Sequence, residues 1–136
     1  METLKVCVDT DIVIDYLRGR NENQDILPNL IAKHDVYISP VSVYELYYGG
    51  YYSGRVKPVE DVLAMMTPFD WTTEDSKKAA QIHVTLSKAG ETLSVKDVLI
   101  AGLCVSRAVP LVTRNILHFK RIKGLKVIDG VEYLKS

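Results

Sequence analysis

Three aspartates stand close together in an apolar stretch near the start of the chain. Residues 6–17 read VCVDTDIVIDYL and contain Asp9, Asp11 and Asp15, with no lysine or arginine between them. Carboxylates are seldom buried unless a partner compensates for the lost hydration. A hard divalent cation such as magnesium or manganese binds oxygen ligands and needs only a few carboxylates. The stretch therefore suggests a metal site.

Other polar residues follow the remaining predicted strands. In open parallel sheets, ligands bind at the carboxyl ends of the strands, so side chains at these positions are expected to converge. Asp97 joins them from the first turn of a predicted buried helix. The residues at the predicted strand ends and just beyond them are Asp9, Thr10, Asp11, Ser39, Ser42, Glu45, Thr113, Arg114 and Asn115.

Helix capping is the alternative explanation for two of these acids. Ser42-x-x-Glu45 and Ser94-x-x-Asp97 both match the capping box, in which the acid satisfies a backbone N–H of the first turn. Capping accounts for each acid singly, but it does not explain why carboxylates should gather at one edge of a sheet. A shared cation explains the gathering.

The acids of the first stretch differ in how easily they are explained. Asp11 suits an N-cap or the first turn of a helix, and Asp15 is expected to be solvated or paired with Arg18. Asp9 directly ends a predicted buried strand, where an unpaired charge is costly. Asp9 is therefore the strongest single indication of a metal.

Apolar periodicity predicts strands that alternate with helices. This pattern indicates a three-layer α/β sandwich with a central, mainly parallel sheet, formed by one domain over residues 1–136. Gly102 is expected to allow the buried helix to approach the sheet. The predicted strands are 4–8, 36–39, 68–71, 110–113 and 125–129, and the predicted helices are 12–17 (stopped by Gly19), 24–33, 42–52 (weakened by Gly49-Gly50), 56–66, 74–89, 94–108 and a turn or helix at 115–120.

Composition is that of an ordinary globular protein. Lysines and arginines number 17, as do aspartates and glutamates, so net charge gives no basic signature for nucleic acid. No segment reaches the ~20 apolar residues of a membrane span, and METLKV does not resemble a signal peptide, so a cytoplasmic location without membrane contact is expected. Cys7 and Cys104 are interpreted as reduced core residues.

Two local clusters have both a surface and a binding interpretation. Five basic residues and no acidic one lie between residues 114 and 126, which predicts either a solvated surface or an edge that faces phosphates. The tyrosines within 44–52 suit either core packing or an interface with a second copy or a partner helix. The basic residues are Arg114, Lys120, Arg121, Lys123 and Lys126.

The chain resembles the PIN-domain family, in particular the VapC-type toxin ribonucleases of VapBC toxin–antitoxin pairs. The resemblance is carried by VDTDIVIDYL, SPVSVYELYYG and LSVKDVLIAGLCVSRAVPLVTRNILHFKRIKGLKV, in this order and spacing. It implies a metal-dependent ribonuclease that uses Mg²⁺ or Mn²⁺, acts on RNA, and pairs with a VapB-like antitoxin, with a homodimer expected. The implied metal site consists of Asp9, Glu45 and Asp97, and its polar neighbours are Thr10, Ser94, Thr113 and Asn115.

One departure from the family pattern concerns the motif after the last core strand. Many relatives have an acid there, whereas this chain reads TRNILHF. Asn115 and His118 occupy the positions where that acid is sought. The departure leaves open whether either of them replaces the fourth acid.

The resemblance also implies a division of roles. Asp9 and Asp97 would be direct metal ligands, and Glu45 would bind through water or orient the nucleophile. Asn115 would hold a metal-bound water or a phosphate oxygen. Arg114, Lys120 and Arg121 would contact the RNA backbone, with single-stranded RNA preferred because its bases are unstacked.

Three other interpretations remain at this point. VCVDTDIV also matches the start of haloacid-dehalogenase phosphohydrolases, with Asp9 as nucleophile, but the later strand offers TRN where an acidic pair is needed. A receiver domain would need a strand-end aspartate and a lysine that the sequence does not supply. A non-catalytic interaction module would use the tyrosine-rich segment 44–52.

Overall fold

A computed structural model describes residues 3–19 and 21–136, and its centre is a five-stranded parallel sheet. The strand order is β3-β2-β1-β4-β5, and every neighbouring pair is parallel. The prediction of a central parallel sheet is confirmed. The strands are β1 (Lys5–Val8), β2 (Asp35–Ile38), β3 (Thr67–Pro68), β4 (Leu111–Thr113) and β5 (Val127–Asp129).

Helices connect these strands and cover both faces of the sheet. A short 3-10 turn at Glu22–Asp25 precedes the second helix. The final helix was not among the sequence predictions, and it buries Gly130 against Ile12 and Ile26. The helices are α1 (Thr10–Arg18), α2 (Ile26–Lys33), α3 (Pro40–Ser53), α4 (Val56–Leu63), α5 (Thr73–Lys88), α6 (Val95–Arg107), α7 (Ile116–Phe119) and α8 (Gly130–Lys135).

Side chains of β1 alternate between two hydrophobic cores. Val6 and Val8 join the core formed with α1, α2 and α4, whereas Cys7 joins the core formed with α5 and α6. Cys7 and Cys104 are both free and buried, as predicted. Because successive residues of a strand point to opposite faces, one central strand fills both cores and ends in Asp9 at the sheet edge.

Local signals fixed several helix boundaries. Gly19 ends α1 in the left-handed conformation (φ 60°), as expected. Helix α3 continues through Gly49-Gly50, and an added Cβ at Gly50 would lie 3.1 Å from Val59 and 3.2 Å from Val56 of α4. It begins two residues earlier than predicted, after Ser39, whose hydroxyl accepts a hydrogen bond from the Ser42 N–H.

Two further expectations about the fold are wrong. Gly102 does not approach the sheet. An added Cβ there would lie 2.6 Å from Ala79 Cα, so the close approach is between α6 and α5. The third strand pairs at Thr67–Pro68 and not over 68–71, since residues from 70 onward turn toward the N-cap of α5 at Thr72.

No helix of the described ranges is both long and apolar enough to span a bilayer. Met1, Glu2 and Arg20 lie outside these ranges, so part of the METLKV segment interpreted above is not described. The assignment of residues 1–136 to one domain stays a prediction.

Candidate active site

A cavity of about 760 Å³ opens at the carboxyl edge of the sheet. It collects side chains from the end of β1, from α3, from the start of α6 and from the segment after β4. Four of its polar lining residues are acidic. The lining residues are Asp9, Thr10, Asp11, Ile14, Glu45, Thr92, Leu93, Ser94, Lys96, Asp97, Asn115, His118 and Arg121.

Asp9 lies at the base of this cavity and is 6% exposed. It is the N-cap of α1, since its Oδ1 accepts the Thr10 N–H at 2.8 Å, and its Oδ2 accepts the Thr113 hydroxyl at 2.8 Å. Burial raises the pKa of Asp9, the two hydrogen bonds oppose that shift, and the charges of Asp97 and Glu45 raise it further. The carboxylates are therefore close enough to repel one another, which a cation would relieve.

Glu45 reaches the cavity from one turn inside α3. Its Oε1 hydrogen-bonds with the Thr10 hydroxyl at 2.8 Å, and that hydroxyl also lies 2.8 Å from the buried Ser42 hydroxyl. Lys96 pairs with its other oxygen. The Ser42–Glu45 capping box is wrong, because Ser39 is the N-cap of this helix. Glu45 is consequently free of a capping role.

Asp97 combines a cap with an accessible carboxylate. Ser94 is the N-cap of α6, and its Oγ accepts the Asp97 N–H at 3.2 Å. The described residues show this half of a capping box but not the reciprocal bond. Asp97 Oδ2 instead faces His118, with Nδ1 3.6 Å away. The side chain is thus available to a ligand in the cavity.

Asp11 is a cavity residue that the predicted metal set omitted. Its Oδ2 accepts the Arg114 N–H at 3.1 Å, and among the described residues its buried Oδ1 has no hydrogen-bond partner. Burial first, and then the charge of Asp9, raise the pKa of Asp11 to about 7. The spacing of Asp9 and Asp11 was visible in the sequence, but a first-turn acid was a sufficient explanation there.

Asp15 lies outside the cavity lining and pairs with a different arginine from the one expected. Its carboxylate receives the Arg114 guanidinium, with Nη2 3.1 Å from Oδ1, and its side chain is 13% exposed. The expectation that Asp15 is solvated or paired with Arg18 is therefore wrong. The strand order explains the difference, since β4 lies beside β1 and brings residue 114 over α1.

The segment after β4 supplies the remaining polar lining. The Thr113 hydroxyl accepts the Asn115 N–H at 3.0 Å, which holds the chain turn beside Asp9. Asn115 and His118 both line the cavity. The two positions at which the resemblance implies a fourth acid, Asn115 and His118, are therefore both at the site.

The basic residues divide between the cavity rim and the surface. Arg121 lines the cavity, and its guanidinium hydrogen-bonds with the Thr92 carbonyl. Lys120, Lys123 and Lys126 are exposed. Lys96, which the sequence predictions did not single out, is a second basic residue in the lining.

The donor set fits a hard divalent cation by its chemistry. Carboxylates from three separate elements face one cavity, and one buried carboxylate oxygen has no partner in the described residues. Within residues 3–19 and 21–136, no three His, Cys, Asp or Glu side chains are already arranged to hold a metal ion. The Glu45 carboxylate is held by Lys96 at one oxygen and by Thr10 at the other.

Comparison with known proteins identifies the family. The family model for the PIN domain matches residues 6–125. The chain belongs to the PIN domain family. The resemblance drawn from the sequence is confirmed. The PIN domain assignment replaces the haloacid-dehalogenase and receiver interpretations.

Relatives of this PIN domain match along nearly its whole length. Ribonuclease VapC2 of Haemophilus influenzae is 30% identical, covering 94% of this chain and 99% of the relative. The tRNA(fMet)-specific endonuclease VapC of Salmonella typhimurium is 28% identical, covering 93% and 98%. The solved structure of DNA-bound VapBC from Salmonella typhimurium superposes with a TM-score of 0.83 at 26% identity, covering 94% and 99%.

Proposed function

We propose that this PIN domain is a metal-dependent endoribonuclease that hydrolyses RNA phosphodiester bonds. The observation that carries the proposal is the convergence of Asp9, Asp11, Glu45 and Asp97 on one cavity. The names of the relatives, which are ribonucleases matched end to end, support the same reaction.

The three acids of the predicted set, Asp9, Glu45 and Asp97, would hold Mg²⁺ or Mn²⁺. Such a cation, when bound, lowers the pKa of water and neutralises charge on phosphate oxygens. Thr10 and Thr113 orient the carboxylates of Glu45 and Asp9 through hydrogen bonds. Asn115 presents an amide, which can donate to a phosphate oxygen or accept from a water.

The rim of the cavity supplies contacts for an RNA backbone. Arg121 lies at the cavity and Lys120 is exposed beside it. Arg114 contributes less than the sequence suggested, because its guanidinium is engaged by Asp15. We assign single-stranded RNA as the substrate class, and the name of the Salmonella relative, a tRNA(fMet)-specific endonuclease, is consistent with an RNA substrate.

We further propose that the protein is the toxin of a type II toxin–antitoxin pair and acts in the cytoplasm, where its RNA substrate is found. The structural relative from Salmonella typhimurium is a VapBC complex, which supports a VapB-like antitoxin as partner. Four tyrosines of α3 (Tyr44, Tyr48, Tyr51 and Tyr52) are 60–85% exposed, so core packing does not account for them. They suit a protein interface, either with the antitoxin or within a homodimer.

The decisive experiment is cleavage of single-stranded RNA by the purified protein. Mg²⁺ or Mn²⁺ is expected to support cleavage, and EDTA is expected to abolish it. Asp9→Asn should reduce the rate at least a hundredfold, since a catalytic ligand is lost. Asp61→Asn is the matched control on the exposed face of α4 and should cleave like the wild type. Cleavage that persists in EDTA, or in Asp9→Asn, contradicts the proposal.

A further inference from the structure

Lys96 lies in the first turn of α6, directly before Asp97, and its side chain crosses the cavity to Glu45. Its ammonium contacts Glu45 Oε2, while Thr10 holds Oε1 of the same carboxylate. The lysine side chain is 57% exposed and that of Glu45 is 19% exposed. The pair therefore lies at the mouth of the acidic cavity.

Stability does not explain a lysine at this position. A pair with one solvent-exposed partner contributes about 0–1 kcal/mol. The first turn of a helix carries the positive end of the helix dipole, which disfavours a cation and favours acids such as Asp97. Lys96 is thus in an unfavourable position for its helix, and its contact is with a residue of the candidate active site.

Lys96 is surrounded by carboxylates of the cavity. Lys96 pairs with Glu45 and directly precedes Asp97, and all three line the cavity together with Asp9. The Arg121 guanidinium is tied to the Thr92 carbonyl, so it does not reach these acids. Of the described lysines and arginines that line the cavity, Lys96 is therefore the one that pairs with a carboxylate of the lining.

We propose that Lys96 is a tethered cation that occupies Glu45 in the metal-free protein, competes with a divalent cation for it, and then contacts a phosphate oxygen of bound RNA. The half-exposed four-carbon stem of lysine permits such a movement. The released ammonium would lie beside the acids that hold the metal, where the scissile phosphate must also lie. This inference rests on the metal-dependent function proposed above.

The test compares metal affinity with RNA affinity in the same variants. Lys96→Met keeps an apolar stem and removes the charge. By titration calorimetry with Mn²⁺ alone it should bind the metal roughly fivefold more tightly than the wild type, because the competing cation is gone. At saturating Mn²⁺ it should bind a single-stranded 2′-O-methyl RNA, recovered intact, roughly fivefold more weakly.

Two control variants separate charge from structure. Lys96→Arg retains the charge and should keep both affinities near those of the wild type. Lys57→Met removes another exposed lysine that pairs with a carboxylate, Asp61 on α4, and should change neither. If Lys96 had only a structural role, Lys96→Met would not tighten Mn²⁺ binding while weakening RNA binding.

Each result decides between the two proposals. Unchanged Mn²⁺ affinity in Lys96→Met, with a wild type that binds Mn²⁺, overturns the role of Lys96 and leaves the nuclease proposal standing. Loss of both affinities together, or tighter Mn²⁺ binding with unchanged RNA binding, also overturns it. A wild type that binds no Mn²⁺ overturns the metal-dependent function itself.

Discussion

The backbone N–H of Asp97 serves the cap of α6, whereas its carboxylate faces the cavity and His118. This separation makes the two roles of the residue independently testable. Replacement of the side chain by an amide of the same shape leaves the backbone cap in place. A change in function can then be assigned to the carboxylate.

Asp97→Asn is expected to weaken Mn²⁺ binding at least tenfold while changing the free energy of unfolding of the metal-free protein by about 1 kcal/mol or less. The physical reason is the loss of one anionic ligand without loss of the cap. Titration calorimetry and urea unfolding measure the two quantities. Asp61→Asn, on an exposed pair of α4, is the control. Equal Mn²⁺ affinities for Asp97→Asn and the wild type would remove Asp97 from the metal set.

Asn115→Asp tests one of the two positions where the family resemblance implies an acid. Asn115 lines the cavity beside Asp9, and an amide is a weaker ligand for a hard cation than a carboxylate because it brings no charge. The substitution should tighten Mn²⁺ binding by about 1 kcal/mol, and it should weaken binding of RNA when metal is absent. Titration calorimetry on the wild type and on Asn115→Asp measures both the Mn²⁺ affinity and the metal-free RNA affinity. Unchanged metal affinity would direct attention to His118, which also lines the cavity.

At the scale of the elements, α5 and α6 approach each other so closely at Gly102 that no side chain fits there. An added Cβ at Gly102 would lie 2.6 Å from Ala79 Cα and Cβ. Gly102→Ala must therefore push the helices apart, and it is expected to lower the free energy of unfolding by about 2 kcal/mol. Gly49→Ala is the matched control, because a Cβ at that position of α3 meets nothing within 4 Å. Urea unfolding should show a neutral or stabilising effect for the control, by up to about 1 kcal/mol.

The same two helices are joined by a buried ion pair. Asp75, at the start of α5, is fully buried and accepts hydrogen bonds from Arg107 Nε at 3.0 Å and Nη2 at 2.9 Å. The Arg107 guanidinium holds the pKa of Asp75 well below its usual range. The pair fixes the end of α6, whose opposite end carries Asp97.

Asp75→Asn is expected to lower the free energy of unfolding by about 2 kcal/mol at pH 7, because the partly exposed Arg107 loses its buried counter-charge and keeps only the exposed Asp70. A depressed pKa means that the carboxylate stabilises the fold above its ordinary pKa of about 4, and that this contribution is lost as the pH falls further. The difference between wild type and variant should therefore shrink from pH 7 to pH 3. Denaturant titration at both pH values measures it, and an equal difference at both would contradict the assignment.

At the scale of the whole molecule, the acids converge only because the sheet order is β3-β2-β1-β4-β5. Strand β1 lies between β2 and β4, so Asp9 meets residues that follow β2 and β4 in the chain. The resulting cluster of carboxylates opposes folding in the absence of a cation. A ligand that binds only the folded state should reverse this effect.

The melting temperature of the metal-free protein is therefore expected to rise with Mn²⁺ concentration. A hundredfold excess over Kd stabilises the fold by about 2.7 kcal/mol. Asp9→Asn is the control and should give a much flatter curve, since it removes the most buried acid of the cavity. A flat curve for the wild type would contradict the metal site as a whole.

The sequence by itself determined most of the strands and helices and pointed to the candidate site residues. Period-2 and period-3.6 patterns are local, so the strand that ends at Asp9 and the stop of α1 at Gly19 could be read directly. The resemblance to the PIN family implied Asp9, Glu45 and Asp97 as the acidic site, and the structure brings all three to one cavity. Their roles as metal ligands stay predictions.

Only the tertiary structure decided which partner each charged side chain meets. Asp15 pairs with Arg114 and not with Arg18, Glu45 pairs with Lys96, and Gly102 approaches Ala79 instead of the sheet. These contacts join residues 23 to 99 positions apart. Sequence periodicity specifies the face of an element but not the neighbour opposite it, because that neighbour depends on strand order and helix packing.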